Sequence, residues 1–233
     1  MEGSTNSKNV ANYEYLAKYY DLLLQDEEAL SLWLKYIEKE KFNTVLELAS
    51  GSGVMARILK DKGYDVVASD LSIQMKQVAK NNYDGPYLIL NMIDYHLDRK
   101  FDLILCICDS INYLLQEELD AFFKCAYEHL NDNGRLIFDC HHINRLKEFK
   151  EGYIEEGYVD DMAYQWTIQS DDFDNSLYEH FTFYTNDGII LEQHHQSVFD
   201  IKTIKDKMIN YFDINIIEDF VEDEKVLFIG RKI

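Results

Sequence analysis

The sequence predicts an α/β fold: a doubly wound sheet with a terminal antiparallel hairpin and an inserted antiparallel sheet. Three observations predict it. Short apolar runs alternate with helical patterns through residues 43–150, which is typical of parallel strands joined by helices. Aromatic, alternating runs follow over residues 151–200, and residues 201–233 contain two further strand-like runs. Five parallel strands and the two hairpin strands would together form a seven-stranded sheet.

Residues 1–42 are predicted to form N-terminal helices. Residues 13–24 and 27–40 place apolar side chains at three- and four-residue intervals, the pattern of amphipathic helices. The first residues lack the basic-then-apolar order of a signal peptide, and no apolar run reaches the roughly 18 residues that cross a bilayer. We therefore expect a soluble, cytoplasmic protein with no membrane partner.

The segment 43–150 repeats a strand, a turn and a helix. NTVLELA is followed by Gly51-Ser52-Gly53 and by a helical pattern that ends at Gly63. Ser72 opens the next predicted helix, and a turn is predicted at residues 131–134. The remaining predicted elements are DVVASD, PYLILNM, FDLILCIC, QEELDAFFKCAYEHL and GRLIFDC. Such strands are covered on both faces and joined by right-handed crossovers.

The second half of the chain is predicted to be antiparallel. Its runs are separated by turn signals such as Asn186-Asp187-Gly188. A short helix near residues 201–210 precedes YFDINIIEDF and KVLFIGRKI, two strands around an acidic turn at Glu222 to Glu224. With one proline and ten glycines, the sequence contains no evident linker, so residues 1–233 are predicted to be a single domain.

The composition narrows the possible partners. The formal net charge of −20 disfavours nucleic acid and anionic membranes and leaves small or cationic substrates open. The four cysteines lie in apolar stretches without the spacing of a zinc site, so we expect buried free thiols and no metal. The oligomeric state is left open between monomer and homodimer.

Acidic residues and glycines follow the predicted strands. Glu47 precedes the turn through Gly51 and Gly53, and Asp70 ends the second strand, where it could accept hydrogen bonds from ribose hydroxyls. Asp94 follows the third strand. The glycines and Asp70 alone also fit an NAD(P)-binding turn. Glu47, Asp94 and the terminal hairpin favour a different nucleotide cofactor, although each of the two aspartates could simply cap a helix.

Several segments resemble the successive motifs of class I S-adenosylmethionine (SAM)-dependent methyltransferases. They are VLELASGSG, VVASDLSIQM, NMIDYHL, FDLILCICDSINYLL and GRLIFD. YEYLAKYYD and LEQHHQSVF further resemble a bacterial small-molecule branch with an insertion after the fifth strand, which includes sugar N-methyltransferases. The resemblance implies a Rossmann-like seven-stranded sheet and methyl transfer to an O or N atom of a small molecule.

The resemblance also implies a set of cofactor-binding residues. Those assigned to the methionine part are Glu47, Ala49, Gly51, Gly53 and the backbone of Cys108. Those assigned to the ribose and adenine are Asp70, Leu71, Met75, Met92, Ile93 and Asp94. Tyr20 would reach over the cofactor from the N-terminal helix. Ala49 stands where the family usually has the first glycine of the loop, and this departure leaves the assignment intact.

Candidates for proton removal are His195, His142, Tyr20 and Asp109. Adjacent residues on a strand point to opposite faces, so at most one member of each histidine pair, 141–142 and 194–195, can enter a site. Half-buried structural histidines and helix packing of the tyrosines are the alternatives.

The composition of the insertion allows two interpretations, one of which concerns the charge of the acceptor. Residues 151–201 contain twelve acidic residues and no Lys or Arg, among many aromatic residues. A solvated sheet face is one interpretation, and a lid that attracts a cationic or amine acceptor is the other. An NAD(P)-dependent enzyme and a non-catalytic SAM-binding module are kept as alternative functions, although no dehydrogenase-type constellation is found.

Overall fold

A computed structural model describes residues 13–24, 27–221 and 223–233. The first residues of the chain, on which the signal-peptide expectation rests, and Glu222 of the predicted acidic turn lie outside this part. The helices are α1 (Leu16–Leu24), α2 (Glu27–Ile37), α3 (Val54–Asp61), α4 (Ile73–Ala79), α5 (Leu119–His129), α6 (Asn144–Glu148) and α7 (Ile201–Met208). No helix in the described ranges is long and apolar enough to span a membrane.

The larger sheet has seven strands. They are β1 (Thr44–Glu47), β2 (Asp65–Asp70), β3 (Tyr87–Ile89), β4 (Phe101–Cys106), β5 (Leu130–His141), β10 (Phe212–Val221) and β11 (Lys225–Lys232). Their spatial order is β10-β11-β5-β4-β1-β2-β3. Strands β1 to β5 pair in parallel, while β11 is antiparallel to both β5 and β10. The predicted doubly wound sheet and its closing hairpin are confirmed.

The sheet is buried on both faces by alternating side chains. Val45 and Leu103 pack with Trp33 of α2, whereas Leu46 and Ile104 pack on the other face with α5 and α7. Each fully buried aliphatic or aromatic side chain contributes roughly 1.5–3 kcal/mol relative to an exposed one. The two apolar layers hold the strand ends rigidly in place.

Local signals set the helix boundaries near those ends. Gly53 adopts a left-handed conformation (φ 78°) at the start of α3, where an added Cβ would lie 3.1 Å from the Cβ of Tyr83. The side chain of Ser72 accepts a hydrogen bond from the N–H of Met75 (3.1 Å), so it caps α4 as predicted. Residues within the turns after β1 and β2 thus determine where the next helices begin.

A separate four-stranded sheet is inserted after β5 and α6. Its strands are β6 (Tyr153–Val159), β7 (Met162–Asp171), β8 (Ser176–Thr185) and β9 (Gly188–Ser197), paired in that order and antiparallel throughout. Trp166, Phe181 and Glu192 are aligned across three strands, as are Ile168, Glu179 and His194. Both rows lie on one face, called here the inner face, which packs against α1.

Helix α1 is held from two sides. The carboxylate of Glu192 accepts hydrogen bonds from the main-chain N–H groups of Leu16 (2.9 Å) and Tyr15, at the start of the helix. Asp21 accepts hydrogen bonds from Ser52, in the turn after β1, and from Nδ2 of Asn82 (2.8 Å). The helix therefore bridges the inserted sheet and the turn after β1.

Three local predictions differ from the structure. Residues 131–134 belong to β5, where they form an irregular stretch around Asn133 (φ 64°) instead of a turn before the strand. Helix α2 ends at Ile37 and not at residue 40, and α6 was not predicted. The main-chain pairing of Leu130 with Phe101 keeps this turn-like sequence within the sheet.

Candidate active site

A cavity of about 730 Å³ lies beyond the carboxyl ends of β1, β2 and β4. One part is walled by the turns that follow these strands, and the other by α1 and the inner face of the inserted sheet. In open parallel sheets this edge is where ligands bind. The volume lies within the range of pockets that hold small molecules and cofactors.

The turn after β1 offers a buried carboxylate and open backbone. Glu47 is only 2% exposed and accepts a hydrogen bond from the hydroxyl of Ser50 (2.7 Å). Burial raises the pKa of Glu47 to about 8. Ala49 (φ 50°) and Gly51 (φ 54°) both adopt left-handed conformations, and a Cβ on Gly51 would meet only Tyr20, at 3.9 Å. Both residues line the cavity, whereas Gly53 turns away to begin α3.

Asp70 stands opposite this turn. Its two carboxylate oxygens accept hydrogen bonds from the main-chain N–H groups of Gly51 (3.0 Å) and Ser72 (2.8 Å). Burial raises its pKa, although these bonds favour the charged form. Each oxygen retains a lone pair, so the side chain can still accept hydrogen bonds from a ligand.

An apolar slot lies beside Asp70. Leu71, Met75, Met92 and Ile93, which are predicted to pack near an adenine ring, all line the cavity. Asp94 is exposed and does not line the cavity, because the main chain turns back at Asn91, whose carbonyl accepts a hydrogen bond from the N–H of Asp94 (3.1 Å). Its contact with the adenine amino group stays a prediction.

The turn after β4 has two consecutive left-handed residues, Cys108 (φ 60°) and Asp109 (φ 58°). Their N–H groups donate to the buried carboxylate of Asp139, at 2.8 and 3.1 Å. Lys225 pairs with Asp109 and lies 3.6 Å from Asp139. The hydrogen bonds to Asp139 thus stabilise two left-handed backbone conformations that are uncommon outside glycine.

The expectation that all four cysteines are buried is wrong for Cys108, which lies in this turn. Cys106 and Cys140 are buried and Cys125 is half-buried, but Cys108 is exposed and lines the cavity. Its left-handed backbone turns it out of the apolar strand that precedes it. No group of three or more His, Cys, Asp or Glu side chains that could hold a metal occurs within the described residues.

The residues around this part of the cavity fit SAM. The cofactor presents an ammonium group and ribose hydroxyls as hydrogen-bond donors, and Glu47 and Asp70 are acceptors. Its adenine is flat and largely apolar, and Leu71 and Met92 supply an apolar lining. The roles of individual residues stay predictions.

The structure brings the other member of each histidine pair into the cavity. His194 and His141 line it, whereas His195 and His142 do not. His195 lies on the outer face of β9 and contacts the hydroxyl of Ser176 (2.8 Å). The ring of His142 accepts a hydrogen bond from the N–H of residue 144 (3.2 Å) at the start of α6. The alternation of side chains along a strand allows one histidine of each pair to face the cavity, and the orientation of the strand decides which one.

Of the remaining candidates for proton removal, Tyr20 and Asp109 line the cavity. Burial raises the pKa of Tyr20 well above its usual value. Burial alone would also raise that of Asp109, but His141 and Lys225 hold it below its ordinary range. Asp109 is thus an ion-paired carboxylate and a weak base.

A continuous aromatic wall connects the two parts of the cavity. It begins at Tyr20 and continues through ring contacts to Tyr13 (6.1 Å between centroids), His194 (4.7 Å from Tyr13), Phe181 (5.7 Å) and Trp166 (5.3 Å, stacked). At its far end the indole N–H of Trp166 donates to the carboxylate of Glu179 (3.1 Å). Both residues line the cavity.

Sequence reasoning missed Glu179, Trp166, Phe181 and Tyr113 as individual residues. The acidic, aromatic composition of residues 151–201 pointed to this segment, and period-two alternation divides it into two faces. Neither signal says which face meets the strand ends. That depends on how the second sheet packs against the first.

Known proteins are similar to this chain over most of its length. Residues 45–134 match the family described as methyltransferase domain. A putative methyltransferase of Geobacillus sp. (strain WCH70) is 26% identical over 94% of this chain and 99% of its own. A glycine/sarcosine N-methyltransferase of Halorhodospira halochloris is 27% identical over 75% of this chain and 68% of its own. The crystal structure of a SAM-dependent methyltransferase from Clostridium acetobutylicum ATCC 824 superposes with a TM-score of 0.78 at 23% identity, covering 94% of this chain and 98% of that one.

Proposed function

Because the chain belongs to the class I SAM-dependent methyltransferases, we propose that it transfers a methyl group from SAM to the nitrogen of a small-molecule amine. One observation carries the choice of acceptor. The cavity that begins at the strand ends continues along an aromatic wall to the carboxylate of Glu179. A cationic amine is attracted both by a carboxylate and by aromatic faces.

The similarity to a glycine/sarcosine N-methyltransferase supports the same acceptor class. So does the charge of the insertion, whose residues 151–201 include twelve acidic residues but no Lys or Arg. The carboxylate of Glu179 would repel an anionic acceptor, and a neutral alcohol would bring it no charge partner. Amines are therefore the acceptors that this carboxylate favours.

When bound, SAM supplies a methyl group on a positively charged sulfur, and the acceptor's lone pair forms the new N–C bond while the C–S electron pair stays on sulfur. The protein's task is to align the acceptor and to exclude water. Glu47 and Asp70 would hold the cofactor's polar groups. Tyr20 and Tyr13, on α1 and in the segment before it, cover the space between cofactor and acceptor and keep solvent out.

The test compares amines with alcohols of matched shape. We would measure S-adenosylhomocysteine (SAH) formed from SAM with glycine, sarcosine, glucosamine and benzylamine, against glycolate, glucose and benzyl alcohol. We expect turnover with at least one amine and none with its alcohol partner. Turnover of the alcohols alone would overturn the proposal, and so would turnover of none of the amines.

Calorimetric titration with SAH provides the companion measurement. Binding of SAH in the micromolar range is expected, and Asp70→Asn should weaken it. If the protein binds SAH but methylates no amine, the proposed acceptor class is wrong. The proposed cofactor site would still be supported.

A further inference from the structure

Among the residues that the structure describes, Glu179 pairs with no cationic side chain. It lies on the inner face of β8, between Ile168 and His194 in the cross-strand register. Its Oε2 accepts the indole N–H of Trp166 at 3.1 Å, and no other hydrogen bond to this carboxylate forms among the described residues. A carboxylate in such apolar surroundings gains most from a ligand that brings a positive charge.

The nearby cations are already engaged elsewhere. Arg145 lies 2.8 Å from Glu148 and 3.6 Å from Glu224, and Lys225 pairs with Asp109. Within the described ranges, Glu179 takes part in no ion pair. Arg145 and Lys225 act on Glu179 only at a distance, so a cationic ligand in the cavity could pair with it directly.

We propose that Glu179 is the acceptor-binding and proton-accepting residue: it holds the ammonium form of a primary or secondary amine and removes one proton from it. This inference rests on the proposed function. The N–H bond breaks, its electron pair stays on nitrogen as the lone pair that is methylated, and the proton forms an O–H bond on the carboxylate. The ion pair thereby becomes a neutral amine beside a neutral acid.

The surroundings favour this transfer. Burial raises the pKa of Glu179 to about 7, close to the range in which a general base works best. An ammonium and a carboxylate enclosed in the cavity beside Trp166 and Phe181 lose hydration, which favours the neutral pair. Proton transfer to Glu179 therefore produces a nucleophilic amine where the ammonium was held.

His194 has a different task. Burial lowers its pKa to about 4, so it remains neutral near pH 7. Its Nδ1 lies 3.1 Å from the hydroxyl of Tyr113, while its buried Nε2 has no hydrogen-bond partner among the described residues. Directly across the strand pair from Glu179, this ring is placed to orient the acceptor rather than to take its proton.

The other groups around Glu179 keep their charge between pH 6 and 8. Burial raises the pKa of Tyr13 and Tyr113 well above the usual value. Asp109 has a lowered pKa and stays ionised, and Lys225 has a raised pKa and stays charged. Deeper in the molecule, Glu47 (pKa about 8) and Asp139 (about 7) titrate in the same window, so wild-type data alone would not isolate Glu179.

The experiment therefore compares Glu179→Gln with Glu156→Gln. Glu156 lies on the outer face of the same sheet, is exposed, and accepts a hydrogen bond from the side chain of Gln165 (2.7 Å). Both variants lose one carboxylate from the insertion. Equal SAH affinity in both variants and in the wild-type protein would establish that the cofactor site is intact.

The first readout is the proton balance of binding. With SAH present, the panel amine of highest turnover is titrated at pH 7 in two buffers of different ionisation heat. The wild-type protein and Glu156→Gln should release a fraction of a proton, larger at pH 6 than at pH 7, because Glu179 must ionise to pair with the ammonium. Glu179→Gln should release none, and the matched alcohol should cause no release in any of the three proteins.

The second readout is kinetic. Glu179→Gln should lower kcat/KM for the amine about 100-fold and remove the part of the pH dependence centred near 7. Unchanged kcat/KM and proton release in Glu179→Gln would overturn this inference while N-methylation itself stood. If the wild-type protein methylates none of the panel amines, both the proposed function and this inference fail.

Discussion

Replacing Asp139 by asparagine tests how the turn after β4 keeps its shape. The carboxylate is fully buried. Its Oδ1 accepts the indole N–H of Trp33 (3.1 Å) and the N–H of Cys108 (2.8 Å), and its Oδ2 accepts the N–H of Asp109 (3.1 Å). Asparagine can keep the first oxygen, but its NH₂ group would then face the N–H of Asp109 and the ammonium of Lys225.

The magnitude follows from that mismatch. A buried donor left without an acceptor costs about 1–3 kcal/mol. The left-handed conformations at Cys108 and Asp109 persist only because the surroundings impose them, so the turn should relax once a bond is lost. We expect Asp139→Asn to lower the free energy of unfolding by about 1–3 kcal/mol. If SAH binding must restore the turn, its affinity falls about 5- to 150-fold.

Urea unfolding and calorimetric titration with SAH measure the two effects, with Asp102→Asn as the control. The carboxylate of Asp102 also accepts hydrogen bonds from two main-chain N–H groups, those of Asn43 and Thr44 (3.0 Å each). These bonds lie at the amino ends of the parallel strands, away from the cavity. Both variants should be less stable, and only Asp139→Asn should bind SAH more weakly. Wild-type SAH affinity in Asp139→Asn, together with the loss of stability, would refute a role for Asp139 in shaping the cofactor site.

Three further predictions concern the same cavity. Asp70→Ala should weaken SAH binding about tenfold or more, because each lost bond to a charged acceptor is worth about 1.5–3 kcal/mol; unchanged affinity in a titration would place Asp70 outside the site. Glu47, with its pKa raised to about 8 by burial, must lose a proton to pair with the ammonium of SAH. SAH affinity should therefore rise from pH 6 to 8, by at most about tenfold per unit, and the rise should be absent in Glu47→Gln. Glu192→Gln should weaken the start of α1 by about 0.5–2 kcal/mol and speed amide hydrogen exchange in Leu16–Leu24; unchanged exchange would contradict the role of Glu192.

The elements of the seven-stranded sheet were predictable because their signals are local. Gly53 begins α3 in a conformation that glycine adopts readily, and Ser72 caps α4 with its own hydroxyl. The segment at residues 131–134 misled the prediction because its turn-forming composition is the same whether the chain leaves the sheet or bulges within it. Pairing with β4, a contact distant in sequence, keeps this segment within the sheet.

The candidate site divides in the same way. Glu47 and Asp70 are the last residues of β1 and β2, so their positions could be inferred once the strands were recognised. The side of β9 that carries His194 is set by the packing of the inserted sheet on α1, which no local pattern encodes. Glu179 was missed for the same reason. It is one of twelve acidic residues in 151–201, and the sequence alone does not show which of them faces the cavity.

The two faces of the inserted sheet have a consequence for how acceptor range can change. The inner-face side chains Trp166, Glu179, Phe181 and His194 are not part of the two apolar layers that cover the seven-stranded sheet. We therefore expect substitutions at these four positions to alter the proposed acceptor chamber while leaving the apolar layers beneath the turns after β1, β2 and β4 unchanged. Selection, or a focused mutant library, can explore new acceptors on a constant methyl-donating scaffold, with the four side chains as the variable part.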